Sequence, residues 1–344
     1  MLELRSPAGA FEQIEAYLRE QGFFAPGGEE LEADLYLGYG LSGPLRRHKS
    51  PLPPEPCPLP HAAVAIRDVS QGQSLGNVPI GSWERSWGDA AYAAAIESVR
   101  ATIARGDVYQ VNLVQHLSAD YGGDGAALAV GLARFRPRTL AGDGWAIVSA
   151  SPELFLARRG RRVWTSPIKG TRPLGQHVEG KKDAAEHVMI VDLERNDLSR
   201  VCEPGSVRWP ELMVERELAG VTHLVSTVEG TLRDEVGLAE LLAATFPGGS
   251  VTGAPKIAAV DLIAELEPVG RGASMGALGT VRGNGDLELA LTIRTFAIAD
   301  GKIHLWVGGG IVWDSEPEAE IEESWTKAGP LLAAIGAPVE AASR

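Results

Sequence analysis

Lys169 stands between an apolar residue and a glycine in Ser166-Pro-Ile-Lys-Gly-Thr-Arg-Pro173, with prolines on both sides. Pro167 and Pro173 fix the backbone locally, and Gly170 lets it approach a ligand closely. Such a lysine is a cation for an anionic ligand, a desolvated amine able to act as a nucleophile, or a plain loop lysine after a strand. Two pairs of carboxylates sit at helical spacing: Asp183 with Glu186, and Glu320 with Glu323. Like charges at that spacing repel by about 0.2–0.5 kcal/mol. If the two pairs face each other they need a cation between them, and oxygen donors of this kind suit Mg²⁺. If they do not, they are two solvated acidic faces.

Other polar residues interrupt apolar runs. Glu153 lies in Ala150-Ser-Pro-Glu-Leu-Phe-Leu156. Burial would raise its pKa and suit it to general acid work, whereas an edge-strand position would leave it in water. His223 precedes Leu224-Val225-Ser226, where a histidine is a catalyst or a satisfied structural residue. Arg294, in Leu291-Thr-Ile-Arg-Thr-Phe296, reads as an arginine inside a strand that pairs with a protein carboxylate or a substrate anion. Lys327 follows Glu323 by one turn, the spacing of a helix ion pair. Gly248–Lys256 lacks the Gly-Lys-Ser/Thr of a P-loop, and Gly308-Gly309-Gly310 is not a dinucleotide fingerprint. Both are either tight turns or backbone N–H donors for a carboxylate.

The elements that must position these residues follow from periodicity. Helices are expected over residues 10–20, from Asp89 to a stop at Gly106, and over 181–193, 238–246, 255–266 and 316–335. Strands are expected over 35–41, 62–66, 108–117, 145–158, 162–166, 287–299 and 302–312, the last two joined at Asp300-Gly301. The proline-rich stretch 51–60 reads as an extended connection, and the polar loop 71–81 as the best boundary, dividing residues 1–80 from a catalytic domain over 81–344. Strands dominate the middle and helices come in blocks, which gives an α+β class with largely antiparallel sheets.

Composition bounds the function. The chain has 344 residues and a net charge of −13 with no basic block, which argues against a nucleic-acid surface. No apolar run reaches the roughly 18 residues of a membrane span, and the start lacks the pattern of a signal peptide. Cys57 and Cys202 form neither a disulfide framework nor a metal motif. A cytoplasmic protein is expected, one that needs local cations if its ligand is an anion.

Taken in order, SPELFL, SPIKGTRP, KDAAEHVMIVDLERNDLSRV, HLVSTVEG, FPGGSVTGAPK, ELEPVGRG, LTIRTF and GGGIVWDSEPEAEIEESWTKA resemble the chorismate-utilising enzymes. That family includes the first components of anthranilate and aminodeoxychorismate synthases, and the isochorismate and salicylate synthases. The resemblance runs from about Ala90 to the C-terminus and is visible in LYLGYGL and LPHAAVAI. It implies a two-lobed fold with antiparallel sheets sandwiched inside helices, and Mg²⁺ on Glu186 and Glu323 with Asp183 and Glu320 behind them. It implies that Lys327 and the Gly310 amide hold the ring carboxylate, that Arg294 clamps the enolpyruvyl carboxylate, and that Gly170, Thr171 and Ser250 line the ring site. Glu153 would be the acid for the leaving C4 hydroxyl, with His223 beside the ring.

Two positions sort the members. Relatives that activate water resemble one another in carrying a lysine where this chain has Gln110, so an ammonia-using member is implied. Anthranilate synthases typically read Pro-Ile-Ala-Gly-Thr where this chain has Lys169, as aminodeoxychorismate synthases do. In the latter the lysine is held to add at C2 of chorismate before ammonia adds at C4, and nearby Arg172 or Mg²⁺ would depress its pKa. With no glutaminase sequence here, a separate glutamine amidotransferase would supply the ammonia. Two departures stand out. The start is short where several members build a tryptophan pocket, so tryptophan is not expected to bind. Thr280 follows Gly276-Ala-Leu-Gly279 where the family often has a tyrosine, which throws more of the carboxylate clamp onto Arg294.

Overall fold

The computed structural model describes residues 1–48, 50–67, 79–173, 181–218 and 221–337, without the side chains at 171–173, 181–185, 218 and 221. Most of the loop expected at 71–81 lies outside the described residues. All strand pairings among them are antiparallel, and they form two sheets flanked by helices, as the α+β reading requires.

The ten-stranded sheet runs Leu2–Leu4, Ala62–Ile66, Glu32–Leu37, Ala277–Arg282, Leu287–Leu291, Leu154–Arg159, Arg162–Ser166, Val221–Thr231, Ile168–Pro173, and Arg208–Leu218 also pairs with Val221–Thr231. Three strands from the first 66 residues therefore share one sheet with the rest of the chain. The seven-stranded sheet runs Gly253–Ala254, Gln110–Asp120, Lys302–Ile311, Thr295–Ala299, Trp145–Ser149, Arg138–Gly142, with Glu84–Arg85 beside Gln110–Asp120. This sheet is buried on both faces, which is why Trp145-Ala-Ile-Val-Ser149 is apolar throughout. Trp145 and Ile147 join the main core, while Ala146 and Val148 pack with Phe296, Leu331 and Leu332 in a second cluster. Helix Pro317–Ala334 lies on Lys302–Ile311, and helix Lys181–Ser199 on Val221–Thr231.

Three expectations are corrected. The runs 145–158 and 287–299 are not single strands. Each breaks midway, at 150–153 and 292–294, because the chain leaves one sheet there and enters the other. Strand 35–41 ends at Leu37, and Tyr39–Leu45 forms a 3₁₀ turn that buries Tyr39 and Leu41. Gly308–Gly310 is no turn but the inside of the strand Lys302–Ile311. There a side chain at Gly308 would collide with the Leu113 carbonyl, 1.9 Å from where its Cβ would lie. The Asp300-Gly301 turn is as expected: Ala299 pairs with Lys302, and both turn residues have positive φ, 50° and 71°. Cys57 and Cys202 are buried free thiols. Among the described residues no helix is long and apolar enough to cross a membrane.

One buried ion pair holds these layers in register. Arg271 is 1% exposed and meets Glu267 twice, Nε to Oε2 at 2.9 Å and Nη2 to Oε1 at 2.7 Å. Two more of its hydrogens go to the Val251 carbonyl at 2.9 Å and the Asn112 carbonyl at 2.7 Å, while Glu267 accepts the Val114 amide at 3.0 Å. Removing one partner strands the other charge in the interior. Arg271→Met is expected to cost about 3–5 kcal/mol in urea unfolding, and adding Glu267→Gln to recover part of that loss.

Candidate active site

The two breaks that interrupt the strand runs lie side by side. The Ala150 amide donates to the Arg294 carbonyl at 3.0 Å, and the Leu291 amide to the Glu153 carbonyl at 3.0 Å. Glu153 and Arg294 thus face each other at the junction of the two sheets. Arg294 sits at a bend with φ 50°, a left-handed conformation uncommon outside glycine, and not inside a strand as its surroundings suggested. Its guanidinium is largely buried, and among the described residues no carboxylate pairs with it and no acceptor takes its hydrogens. Burial pulls its pKa down, and Glu153 opposes the fall. A buried cation so placed is a receptor for an external anion.

Glu153 is 6% exposed, and burial pushes its carboxyl above the usual carboxylate range. Lys169, the Ser250 hydroxyl, the Ile168 amide at 3.5 Å and Arg294 pull the other way without reversing it. Lys169 comes from the strand Ile168–Pro173, where it pairs with Leu224 while Thr171 pairs with His223. The register slips between them at Gly170, whose φ of 60° a glycine adopts without strain. This bulge brings the Gly170 carbonyl to His223 Nδ1 at 3.0 Å. A carbonyl only accepts, so Nδ1 carries the hydrogen and Nε2 is the basic nitrogen. Burial lowers the His223 pKa, the Gly170 contact opposes this, and Arg294 lowers it further. The ring is therefore neutral near pH 7.

Lys169 Nζ lies 4.0 Å from Glu186 Oε2, and each side chain is 15% exposed. Glu186 projects from helix Lys181–Ser199, beside a wholly buried His187 whose pKa burial and then Lys169 push down to about 4. The structure thus unites Glu153, Lys169, Gly170, Glu186, His223, Ser250 and Arg294. The backbone of Thr171 belongs to the same strand; its side chain and that of Asp183 lie outside the described residues.

A second group forms along Lys302–Ile311. Gln110 is fully buried, and neither its amide oxygen nor its nitrogen has a hydrogen-bond partner among the described residues. That amide packs against Gly310, where an added Cβ would fall 2.1 Å from Gln110 Nε2. Two orphaned polar atoms in the interior point to a bound polar group. Lys327 Nζ meets Glu323 Oε1 at 2.7 Å, the expected helix pair, and donates to the Gly308 carbonyl at 3.3 Å. Buried Glu320 comes close to Gly309. The glycine loop joins the groups: Ser250 touches Glu153, and Ala254 pairs with Gln110 four residues later. Thr280 lies elsewhere, its hydroxyl accepting Arg67 Nη2 at 2.8 Å.

The described residues contain no cluster of three or more His, Cys, Asp or Glu groups disposed for a metal. What they offer is carboxylates, each next to a lysine. That donor chemistry fits a hard cation which takes one or two protein carboxylates and fills its remaining positions with water and substrate oxygen.

Sequence reading passed over a buried acid layer behind Glu153. Glu194 is 7% exposed and Asp197 6%, and Lys256 Nζ contacts Asp197 Oδ2 at 2.5 Å. A weak signal was present: Glu194 lies three residues from buried Val191 and four from buried Ile190 and Leu198, and Asp197 follows Glu194 by three on the same face of the helix.

Residues 55–333 match the family of chorismate binding enzymes. The aminodeoxychorismate synthase component 1 of Klebsiella aerogenes is 41% identical over 266 residues, 73% of this chain and 59% of that protein. The anthranilate synthase component 1 of Thermus thermophilus is 38% identical over 326 residues, 90% of this chain and 66% of that protein. The chain therefore spans about three-fifths to two-thirds of the length of these relatives. The crystal structure of anthranilate synthase component I from Streptococcus pneumoniae superposes with a TM-score of 0.75 at 27% identity, over 87% of this chain and 80% of that one.

The Gln110 seat gives a direct test. Gly310→Ala is expected to displace the Gln110 amide at a cost of about 1–3 kcal/mol. Chorismate affinity should fall at least about tenfold by calorimetric titration, a change of about 1.4 kcal/mol. Unaltered affinity would show that the Gln110 amide takes no part in binding.

Proposed function

Because the chain belongs to the chorismate binding enzymes, we propose that it aminates chorismate at C4 with ammonia to give 4-amino-4-deoxychorismate, the precursor of p-aminobenzoate and folate. The observation that carries this reading is Lys169 facing a buried Glu153, whose pKa burial raises, and backed by Glu186. Gln110 supports amination over hydration, because an amide cannot deprotonate water.

In this mechanism Arg294, which has no ion-pair partner among the described residues, takes the enolpyruvyl carboxylate. Lys327 and the Gly310 amide take the ring carboxylate, and Gly170, Thr171 and Ser250 flank the ring. Lys169, as the free amine, bonds to C2. The ring double bonds shift, the C4–O bond breaks, and Glu153 gives its proton to the departing oxygen, which leaves as water. Ammonia then bonds to C4, the double bonds shift back, and the C2–N bond breaks to release Lys169. His223 Nε2 accepts a hydrogen bond beside the ring. Glu186 and Glu323, with Asp183 and Glu320 behind them, would hold Mg²⁺, which when bound neutralises the substrate's carboxylate charge. The ammonia would come from a separate glutamine amidotransferase subunit, in keeping with the designation "component 1" of the relatives.

One specific observation favours a second reading. The Thermus anthranilate synthase component matches over 90% of this chain, more than the 73% for the Klebsiella enzyme. Incubation with chorismate, Mg²⁺ and an ammonium salt separates the two: 4-amino-4-deoxychorismate is expected, and anthranilate as sole product would overturn the assignment. Lys169→Ala is expected to lose C4 amination or to shift toward anthranilate, and an unchanged rate and product would remove its covalent role. Glu323→Gln is expected to raise the Mg²⁺ concentration needed for half-maximal turnover, and activity undiminished at limiting metal would exclude it as a ligand.

A further inference from the structure

Two contacts hold the glycine loop that presents Ser250 against the helix Lys181–Ser199. At the first, backbone lies on side chain: an added Cβ at Gly249 would fall 2.7 Å from Leu193 Cδ2. At the second, Lys256 Nζ contacts Asp197 Oδ2 at 2.5 Å and donates to the Thr245 carbonyl at 3.1 Å. Both charged side chains are buried, at 11% and 8% exposure. Thr245 ends the helix Leu238–Thr245 and Lys256 opens the helix Lys256–Leu266, so one ammonium closes the loop at its base. A cation also suits the carbonyl end of a helix. Asp197 follows Glu186 by eleven residues, about three helical turns, so the two project from the same face. The loop's other ties do not reach this helix. Val251 is bonded to Arg271, and the Thr252 carbonyl accepts the Asn112 amide at 2.8 Å from the strand Gln110–Asp120.

We propose that Lys256 and Asp197 are positioning residues for the reaction: their buried pair latches the loop that flanks the ring to the helix that bears Glu186. This rests on chorismate lying against Ser250 and on Glu186 serving the metal, as assigned above. Both residues act only through the elements they join. A helix moves as a rigid rod over three turns, so fixing it at Asp197 fixes where Glu186 stands relative to Ser250. Lys169, 4.0 Å from Glu186, depends on the same spacing. The contact of Leu193 with Gly249 is apolar and without direction, so on its own it lets the helix slide along the loop. The charged hydrogen bond of Lys256 has a set direction and length, and this prevents the slide. Parting the pair in the interior would leave two desolvated charges, so the latch resists opening.

The test compares wild type with the double variant Lys256→Met/Asp197→Ala. That variant buries neither charge and so avoids the stranded partner that a single substitution leaves. The first measurement is hydrogen–deuterium exchange of the chain without ligand. Amides of residues 186–193 and 249–252 should exchange at least about tenfold faster, while those of 111–114, held by Arg271 and their own sheet, keep their rates. The second is calorimetric titration of chorismate with and without Mg²⁺. In wild type the metal should raise chorismate affinity, because it neutralises the substrate's carboxylate charge. In the variant, affinity without metal should stay within about twofold of wild type, and the gain on adding Mg²⁺ should shrink at least about fivefold. Unchanged exchange, or a rise spread equally over residues 111–114, would overturn the latch. So would a full Mg²⁺ gain in the variant. Faster exchange confined to the loop and helix, in a protein whose wild type shows no Mg²⁺ gain, would keep the latch and overturn the assigned ring and metal sites instead.

Discussion

Burying a guanidinium to 1% exposure is costly unless its hydrogens find acceptors, and Arg271, with four hydrogen bonds to protein oxygens, sets the geometry around it by that requirement. Its carbonyl acceptors belong to Val251 in the glycine loop and Asn112 in the strand Gln110–Asp120, and Tyr39 lies under its plane with the ring centroid at 4.5 Å. Glu267 then spends its remaining capacity on the Val114 amide of that same strand. The loop that presents Ser250 and the strand that presents Gln110 are therefore fixed to one buried charge pair. Neither can drift without leaving that charge unsatisfied, so the two halves of the candidate site keep their spacing.

The same economy explains where the site lies. Each sheet satisfies its own backbone hydrogen bonds, but a chain that passes between sheets must interrupt its ladder. It does so twice at adjacent points, 150–153 and 292–294, and the freed groups pair with each other across the junction. Side chains at such a junction belong to neither sheet face, so Glu153 and Arg294 can turn toward a ligand. In the sequence the first break carried a marker, Ser151-Pro152, which the apolar flanks outweighed. The second carried none, because the bend falls on an arginine with positive φ, which no propensity anticipates.

Residue type was legible where chemistry depends on type, and arrangement was not. Lys169, Glu153, Arg294 and His223 stand out in sequence as polar residues in apolar settings, and the fold gathers all four. The bulge at Gly170 that turns a carbonyl to His223 depends on a partner strand some fifty residues away. The burial of Gln110 against Gly310 likewise needs two strands that meet only in the fold. Glu194 was passed over because the apolar residues three and four positions away are its only mark, on a helix whose overall apolar periodicity is weak.

Charge matching settles which groups remain for an anion. In a chain of net charge −13 the site's lysines are already engaged: Lys169 with Glu186, Lys327 with Glu323, Lys256 with Asp197. Each such pair is locally neutral and exerts little attraction at a distance. Among the described residues Arg294 is the one of these site cations with no carboxylate within ion-pair reach, and the acid that acts on it electrostatically, Glu153, has a raised pKa. When Glu153 is protonated, the positive charge of Arg294 stands uncompensated in a low-dielectric wall. An incoming carboxylate is then the group that best offsets its burial, and a Glu153 that lost its proton would compete for the same cation. Keeping the acid protonated therefore also keeps the anion receptor open.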